Sequence, residues 1–148
     1  MGMIDMHIHS SPDATPRWAD DLTMARLAHD AGMRAIVIKS HHTITADRAR
    51  IAETVISGMR VFGGLALNSA VGGFNPYAVE AAAQMGAVEI WMPTRSAAHI
   101  IGKTGFSVLN DYGELRKEIK PILEIIRDQG MILATGHISP IETVCLIK

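Results

Sequence analysis

Short apolar runs alternate with longer helix-like segments along the 148 residues, and three of the helix-like segments stop at a glycine just before the next apolar run. That rhythm is the signature of successive βα units around a parallel sheet. It predicts strands over 3–9, 35–40, 60–67, 87–92 and 131–135. The first helix is expected over 18–31, burying Leu22, Ala25, Leu27 and Ala28 and ending at Gly32. A second follows Thr45 as N-cap and runs to about Ser57, before Gly58. Asn75-Pro76 supplies the cap and first turn of a third, closed by Gly86. In the fourth pattern, Leu115, Ile119, Ile122, Leu123 and Ile126, Pro121 is expected to break or kink the helix. Gly130 leads into the fifth strand, and Ser139-Pro140 opens one more helix.

Five such units predict an α/β fold, a partial TIM-like (β/α) barrel. A closed eight-stranded barrel takes ~250 residues, so residues 1–148 read as one domain, the N-terminal part of an apparently truncated barrel. The alternative is an open five-stranded α/β sheet with helices on both faces. Periodicity does not separate the two. Neither repeats nor low-complexity tracts suggest a linker.

The composition, 48% hydrophobic and 20% charged, is that of an ordinary folded domain. With 14 Lys and Arg against 15 Asp and Glu, the formal charge of −1 offers no broad field for nucleic acid or an anionic membrane. A small-molecule substrate is the expected partner. No apolar stretch approaches the ~20 residues of a membrane span, and the opening residues lack the apolar core of a secretory signal, so a cytoplasmic location is expected. The one cysteine, Cys145, sits in the apolar run Val144-Cys145-Leu146-Ile147 and reads as a buried thiol. Open first and fifth strands of a partial barrel invite edge pairing, hence a homo-oligomer.

Chemistry concentrates at the carboxyl ends of the strands. Ile4-Asp5-Met6-His7-Ile8-His9 alternates strictly, so Asp5, His7 and His9 share one strand face, while Ile4, Met6 and Ile8 turn to the helices. Three ionisable groups on an inward face cost several kcal/mol if left unpaired. A divalent cation compensates, and two imidazoles one strand residue apart can both reach it at ~2.0–2.1 Å. The second strand ends in Lys39-Ser40-His41-His42, and the fifth in Thr135-Gly136-His137, with Gly136 permitting close backbone approach. Of 7 histidines only His29 and His99 lie elsewhere. This makes His7, His9, His41 and His137 the candidate metal ligands. Asp5 and His42 are candidate second-shell groups or additional ligands.

Lys39 and His41 are the candidate catalytic residues. Lys39 steers an anionic substrate group, pairs inward with Asp5 or another carboxylate or, as the last-ranked reading, bridges metals after modification by carbon dioxide. Asn68 at the third strand end, Arg95, and His99 in the loop after the fourth strand are candidate substrate contacts, with Arg95 suited to a carboxylate or phosphate. Gly63-Gly64 and Gly72-Gly73 mark either close approach to a ligand or turns. There is no GxGxxG, phosphate loop, CxxC pair or serine elbow.

The string Asp5-Met6-His7-Ile8-His9-Ser10 resembles the first-strand motif shared by the amidohydrolase superfamily and the polymerase-and-histidinol-phosphatase (PHP) hydrolases. Together with Ser11-Pro12-Asp13, Lys39-Ser40-His41-His42 and Thr135-Gly136-His137-Ile138-Ser139, the chain is similar to amidohydrolase-like proteins over nearly its whole length. The resemblance implies a (β/α) barrel, metal ligation by His7, His9 and His137, and one or two divalent ions, zinc first and manganese or iron next. It implies hydrolysis of an amide, lactone or other ester by activated water. A fourth-strand lysine, typical of many binuclear members, is missing, with Glu89 and Met92 in that region. The PHP alternative implies a phosphoesterase, although Ser40-His41 lacks the aspartate usual in its second motif. A third expectation is a truncated, non-catalytic chain that binds metal or self-associates.

Overall fold

The computed structural model describes residues 2–148; Met1, the first residue of the expected domain, lies outside them. Five strands form one parallel sheet: β1 (Ile4–Ile8), β2 (Ala35–Ile38), β3 (Arg60–Ala66), β4 (Glu89–Trp91) and β5 (Ile132–Ala134). They lie in sequence order, β1-β2-β3-β4-β5, with every neighbour pair parallel. Right-handed crossovers in an order that never reverses put every helix on the same face. The sheet therefore curls as part of a (β/α) barrel, and the open sheet with helices on both faces is set aside.

Side-chain packing shows the same thing. The helices are α1 (Asp21–Asp30), α2 (Ala46–Val55), α3 (Pro76–Gln84), α4 (Ala98–Ile101), α5 (Ile119–Asp128) and α6 (Pro140–Leu146). Ala25 and Ala28 of α1 and Ala49 and Ala52 of α2 pack on Ile8, Ile36, Ile38 and Val61. Val79 and Ala82 of α3, Ile122 and Ile126 of α5 and Leu146 of α6 pack on Leu65 and Ile90. Alternate strand residues Val37, Ala66 and Trp91 form a third cluster that contains no helical residue. One face is roofed by helices, and the other is the barrel interior.

Several local expectations change. Pro121 breaks nothing, because α5 begins at Ile119 and the proline falls in its first turn, where backbone N–H groups have no intrahelical acceptor. In α1 the stripe Asp21, Met24, Ala25, Ala28 meets the core, which leaves Leu22 and Leu27 exposed. Thr45 precedes α2 but does not cap it; its hydroxyl donates to Ile38 O at 2.7 Å and accepts from Gly64 N at 2.9 Å, tying β2 to β3. Asn75 and Ser139 do cap, Ser139 in a reciprocal box with Glu142. Cys145 is half-buried rather than buried. Gly63 and Gly64 lie inside β3, where a Cβ would strike the Thr45 backbone and the Trp91 ring respectively; the close approach is to protein, not ligand. Gly72 and Gly73 take left-handed turn conformations. On β1, Ile8 is roofed at 9% exposure while Ile4 and Met6 stand 49% and 36% exposed. The register against β2 shifts between Asp5 and Ile8, so the strict alternation expected for 4–9 is broken, and Met6, expected to face the helices, lines the same cavity as His7. Among the described residues no helix is long and apolar enough to cross a membrane.

Candidate functional site

The end of β1 and the loops that follow β2 and β5 bring four imidazoles to one end of the sheet. His7 Nε2 and His9 Nε2 are 3.1 Å apart. The His9 ring lies 4.7 Å from that of His41, and His41 lies 6.5 Å from His137, centroid to centroid. His42 follows at 6.3 Å from His41. Gly136 makes the β5 contribution possible: with φ +62° and no side chain it passes against the Met92 and Pro93 carbonyls, so His137 N donates to Pro93 O at 2.9 Å.

His41 is held most firmly. Its Nδ1 lies 2.8 Å from Thr94 Oγ1, which accepts from Asn68 Nδ2 at 2.7 Å. The Asn68 carboxamide also donates to His41 O and accepts from Thr94 N and Ser96 N. Asn68, expected to touch substrate, is 2% exposed with its hydrogen-bonding capacity used internally, so it braces the β2, β3 and β4 loops. His9 has no such brace. Its Nδ1 is buried without a partner; the Lys39 backbone carbonyl favours a proton on the ring but does not complete a hydrogen bond. Asp5 turns back along its own strand and accepts from His7 N at 2.9 Å.

Electrostatics keep these rings neutral. Burial, then the charges of Arg17, His7 and Lys39, push His9 down to about 4. Burial, then His9, Lys39, Arg95 and Arg17, push His41 down to about 3. His7 and His137 are lowered by burial and then by Lys39. Neutral imidazole is the form that binds a metal.

Lys39 lies on the floor of this mouth, 1% exposed, its Nζ 4.8 Å over the Trp91 ring. Burial lowers it to about 8 against the opposing pull of Glu89. Glu89, across glycine 64 on β4, is pushed up to about 7 by burial against Lys39, and its Oε2 has no partner. The inward lysine thus has a carboxylate neighbour, and it is Glu89 rather than Asp5. A cavity of ≈ 300 Å³ lined by His7, Lys39, Glu89, Trp91 and His137 joins floor to mouth.

Two nitrogens bound to one tetrahedral zinc at 2.0–2.1 Å stand about 3.3 Å apart. The 3.1 Å between the His7 and His9 Nε2 atoms fits that pair; an ion there would leave the buried His9 Nδ1 still in need of an acceptor. No group of three or more His, Cys, Asp or Glu among the described residues is arranged to hold an ion as the rings stand. A third donor requires His41 or His137 to turn inward. His99 joins none of this: it is exposed on α4, without a hydrogen bond or ring contact to the other histidines among the described residues.

A loop system missed by sequence reading frames the mouth. Asp13 Oδ2 accepts from Arg17 Nε and Nη2 at 3.2 and 3.0 Å, and Asp13 Oδ1 faces His42 Nδ1 at 3.2 Å. Arg48 of α2 pins the same loop through Asp21, Ser10 O and Pro12 O. Arg95 reaches it through Thr15 Oγ1 at 3.1 Å. The sequence marks Asp13, His42 and Arg95 separately, but neither Arg17 and Arg48 nor the convergence of the five.

Fold and site together define an α/β protein, a partial (β/α) barrel with imidazoles gathered at the carboxyl ends of its strands. The chain belongs to the DUF6282 family, a family of unknown function, whose model matches residues 2–148. No curated protein matches it. Among solved structures it is similar to a protein described as a deoxyribose-phosphate aldolase from Coccidioides immitis, at 15% identity and a TM-score of 0.48. That match covers 89% of this chain and 46% of the other, so the chain spans about half the length of its structural neighbour.

Proposed function

We propose that this mouth belongs to a metal-dependent hydrolase acting on an amide, lactone or other ester bond. His7 and His9 are the first two ligands, with His41 and His137 completing the set on rotation. The observation that carries this reading is the 3.1 Å Nε2 to Nε2 approach of His7 and His9 beneath two further neutral imidazoles. When bound, a divalent ion, zinc first, supplies acidified water (pKa ~7) and polarisation of the scissile oxygen.

The residues of the chain do the rest. Thr94 and Asn68 fix the plane of His41. Asp13 orients His42 beside it. Lys39 and Glu89, facing each other across the floor, bring an amine and a carboxyl with pKa values drawn together, about 8 and about 7, to the inner wall of the cavity. Arg95 lies at the rim, where it can orient an acidic substrate group.

The test is metal analysis of protein purified without chelator, for the wild type and for His7→Ala and His9→Ala, followed by assays on amides, lactones and phosphate esters. Bound zinc lost in both variants, with turnover of an amide or lactone, supports the reading. Unchanged stoichiometry removes it, and turnover of phosphate esters alone transfers the site to the phosphoesterase class. A second reading, self-association through the β1 edge, is favoured by the uncovered Ile4 and Met6; Ile4→Lys would then lower the sedimentation coefficient.

A further inference from the structure

Around the loop between β1 and α1 two arginines are paired with carboxylates and a third, Arg95, is not. Asp13, with a fully buried side chain, is the carboxylate to which Arg17, Thr15 N and His42 all turn. Burial acts to raise its pKa, but those hydrogen bonds outweigh it and hold the carboxyl at about 2, so it stays ionised. The neighbouring Asp21 is taken by Arg48. Arg95 is exposed and has no carboxylate partner within 4 Å among the described residues; its one hydrogen bond goes to Thr15 Oγ1. Thr15 N in turn donates to Asp13 Oδ1 at 3.0 Å. One short chain of contacts therefore joins both guanidiniums.

Their orientation leaves donors free. Arg17 spends Nε and Nη2 on Asp13, while Nη1 makes no hydrogen bond and is not sealed from solvent. Both arginines lie near enough to His41 to disfavour charge on its ring. A guanidinium fork pre-positioned by a carboxylate, beside a second guanidinium lacking one, matches the planar, multiply accepting oxygens of a carboxylate or phosphate.

We infer that the substrate of this mouth carries an oxyanion, seated between Arg17 and Arg95 and directing the rest of the molecule toward His41. This rests on the hydrolase reading above for the reaction, but not for the binding of the anion. The electrostatic logic is simple. With Arg17 paired to Asp13 and Arg48 to Asp21, Arg95 is the rim arginine without a carboxylate partner among the described residues, and an incoming anion meets it at little desolvation cost because Arg95 is already exposed.

The experiment is a titration of the metal-free, chelator-free chain at low salt with inorganic phosphate and, separately, with succinate, followed by amide chemical shifts of residues 13–17 and 94–96. Arg95→Gln is expected to weaken binding about tenfold, the size of one charge-assisted hydrogen bond. Arg17→Lys, which keeps the charge facing Asp13 but loses the fork, is expected to weaken it severalfold. Arg60→Gln, at the opposite end of β3, leaves it unchanged and controls for general charge loss. Phosphate preference points to an ester or anhydride substrate, and succinate preference to an acid side group; either supports the inference. Binding of neither anion, or equal binding by wild type and Arg95→Gln, overturns it. Zinc titration of the same samples separates the two claims: arginine-dependent anion binding without zinc leaves this inference standing and the hydrolase reading fallen, and the reverse result does the opposite.

Discussion

The two sides of the mouth are built differently. On the β2 to β4 side, His41 is locked by Thr94 and Asn68, and the loops it joins are crossed by hydrogen bonds that leave the carboxamide nothing to spare. On the β1 side, His7 and His9 ride an edge strand, one ring nitrogen orphaned and two apolar neighbours uncovered. The braced side is rigid before any ligand arrives, whereas the β1 pair has its geometry but not its partners. An ion on the unbraced side would hold the two Nε2 atoms at their present spacing, while the buried His9 Nδ1 would still need an acceptor of its own.

The largest effect should come from breaking the unbraced pair. His9→Ala is expected to lower zinc affinity by more than ~100-fold, beyond what loss of a supporting group costs, as measured by competition with a chromogenic chelator. Folding should barely change, since His9 makes no hydrogen bond through Nδ1.

Breaking the braced side should do the reverse. Asn68→Ala removes four hydrogen bonds at a buried position and leaves Thr94 N and Ser96 N without acceptors. Urea denaturation should show a loss of ~2–4 kcal/mol, with a smaller loss of zinc affinity, ~10-fold or somewhat more.

That contrast also shows what was legible from residue order. The five strands and the placement of His7, His9, His41 and His137 follow from the apolar rhythm and from position at strand ends, both local properties; the register shift after Asp5, which breaks the strict alternation on β1, does not. The brace and the arginine loop do not. Asn68 and Thr94 meet across two loops, and Arg17, Asp13 and His42 meet across β1 and β2, so only folded geometry joins them. Asn68 was misread as a substrate contact for that reason: position at the mouth was visible, but the four internal partners were not. Pro121 was misread because the Leu115 to Ile126 periodicity suggested a helix starting a turn too early. Leu22 and Leu27 were misplaced because hydrophobicity alone does not fix which stripe of α1 faces the sheet.

The same comparison within β1 predicts a smaller difference. Ile8→Val should cost ~0.5–1.5 kcal/mol, because Ile8 is roofed by α1 and α2 residues. Ile4→Val, half exposed on the same strand, should fall within ~0.5 kcal/mol of wild type. Equal costs would mean that β1 is covered in solution, most simply by another copy of the chain.

The smallest expected change in zinc affinity is with pH. His9 and His41 are depressed to about 4 and about 3, so protons should compete weakly for them, and zinc affinity should vary by less than ~threefold between pH 8 and pH 6. The sign for stability is opposite to that of a paired histidine. Below 6.5 the unfolded chain takes up imidazole protons that the folded chain refuses, so the metal-free protein should lose stability as pH falls from 6.5 toward 4. Stability flat across that window would indicate that the rings are already solvated.

X-ray absorption at the zinc edge of the loaded protein tests most directly whether imidazoles from β1 and from the loops after β2 and β5 close on one ion. Three or four nitrogen scatterers at about 2.0–2.1 Å, with imidazole multiple scattering, falling by one in His137→Ala or His41→Ala, is the predicted result. Zinc held by two imidazoles or fewer, with a spectrum unchanged in both variants, would contradict it.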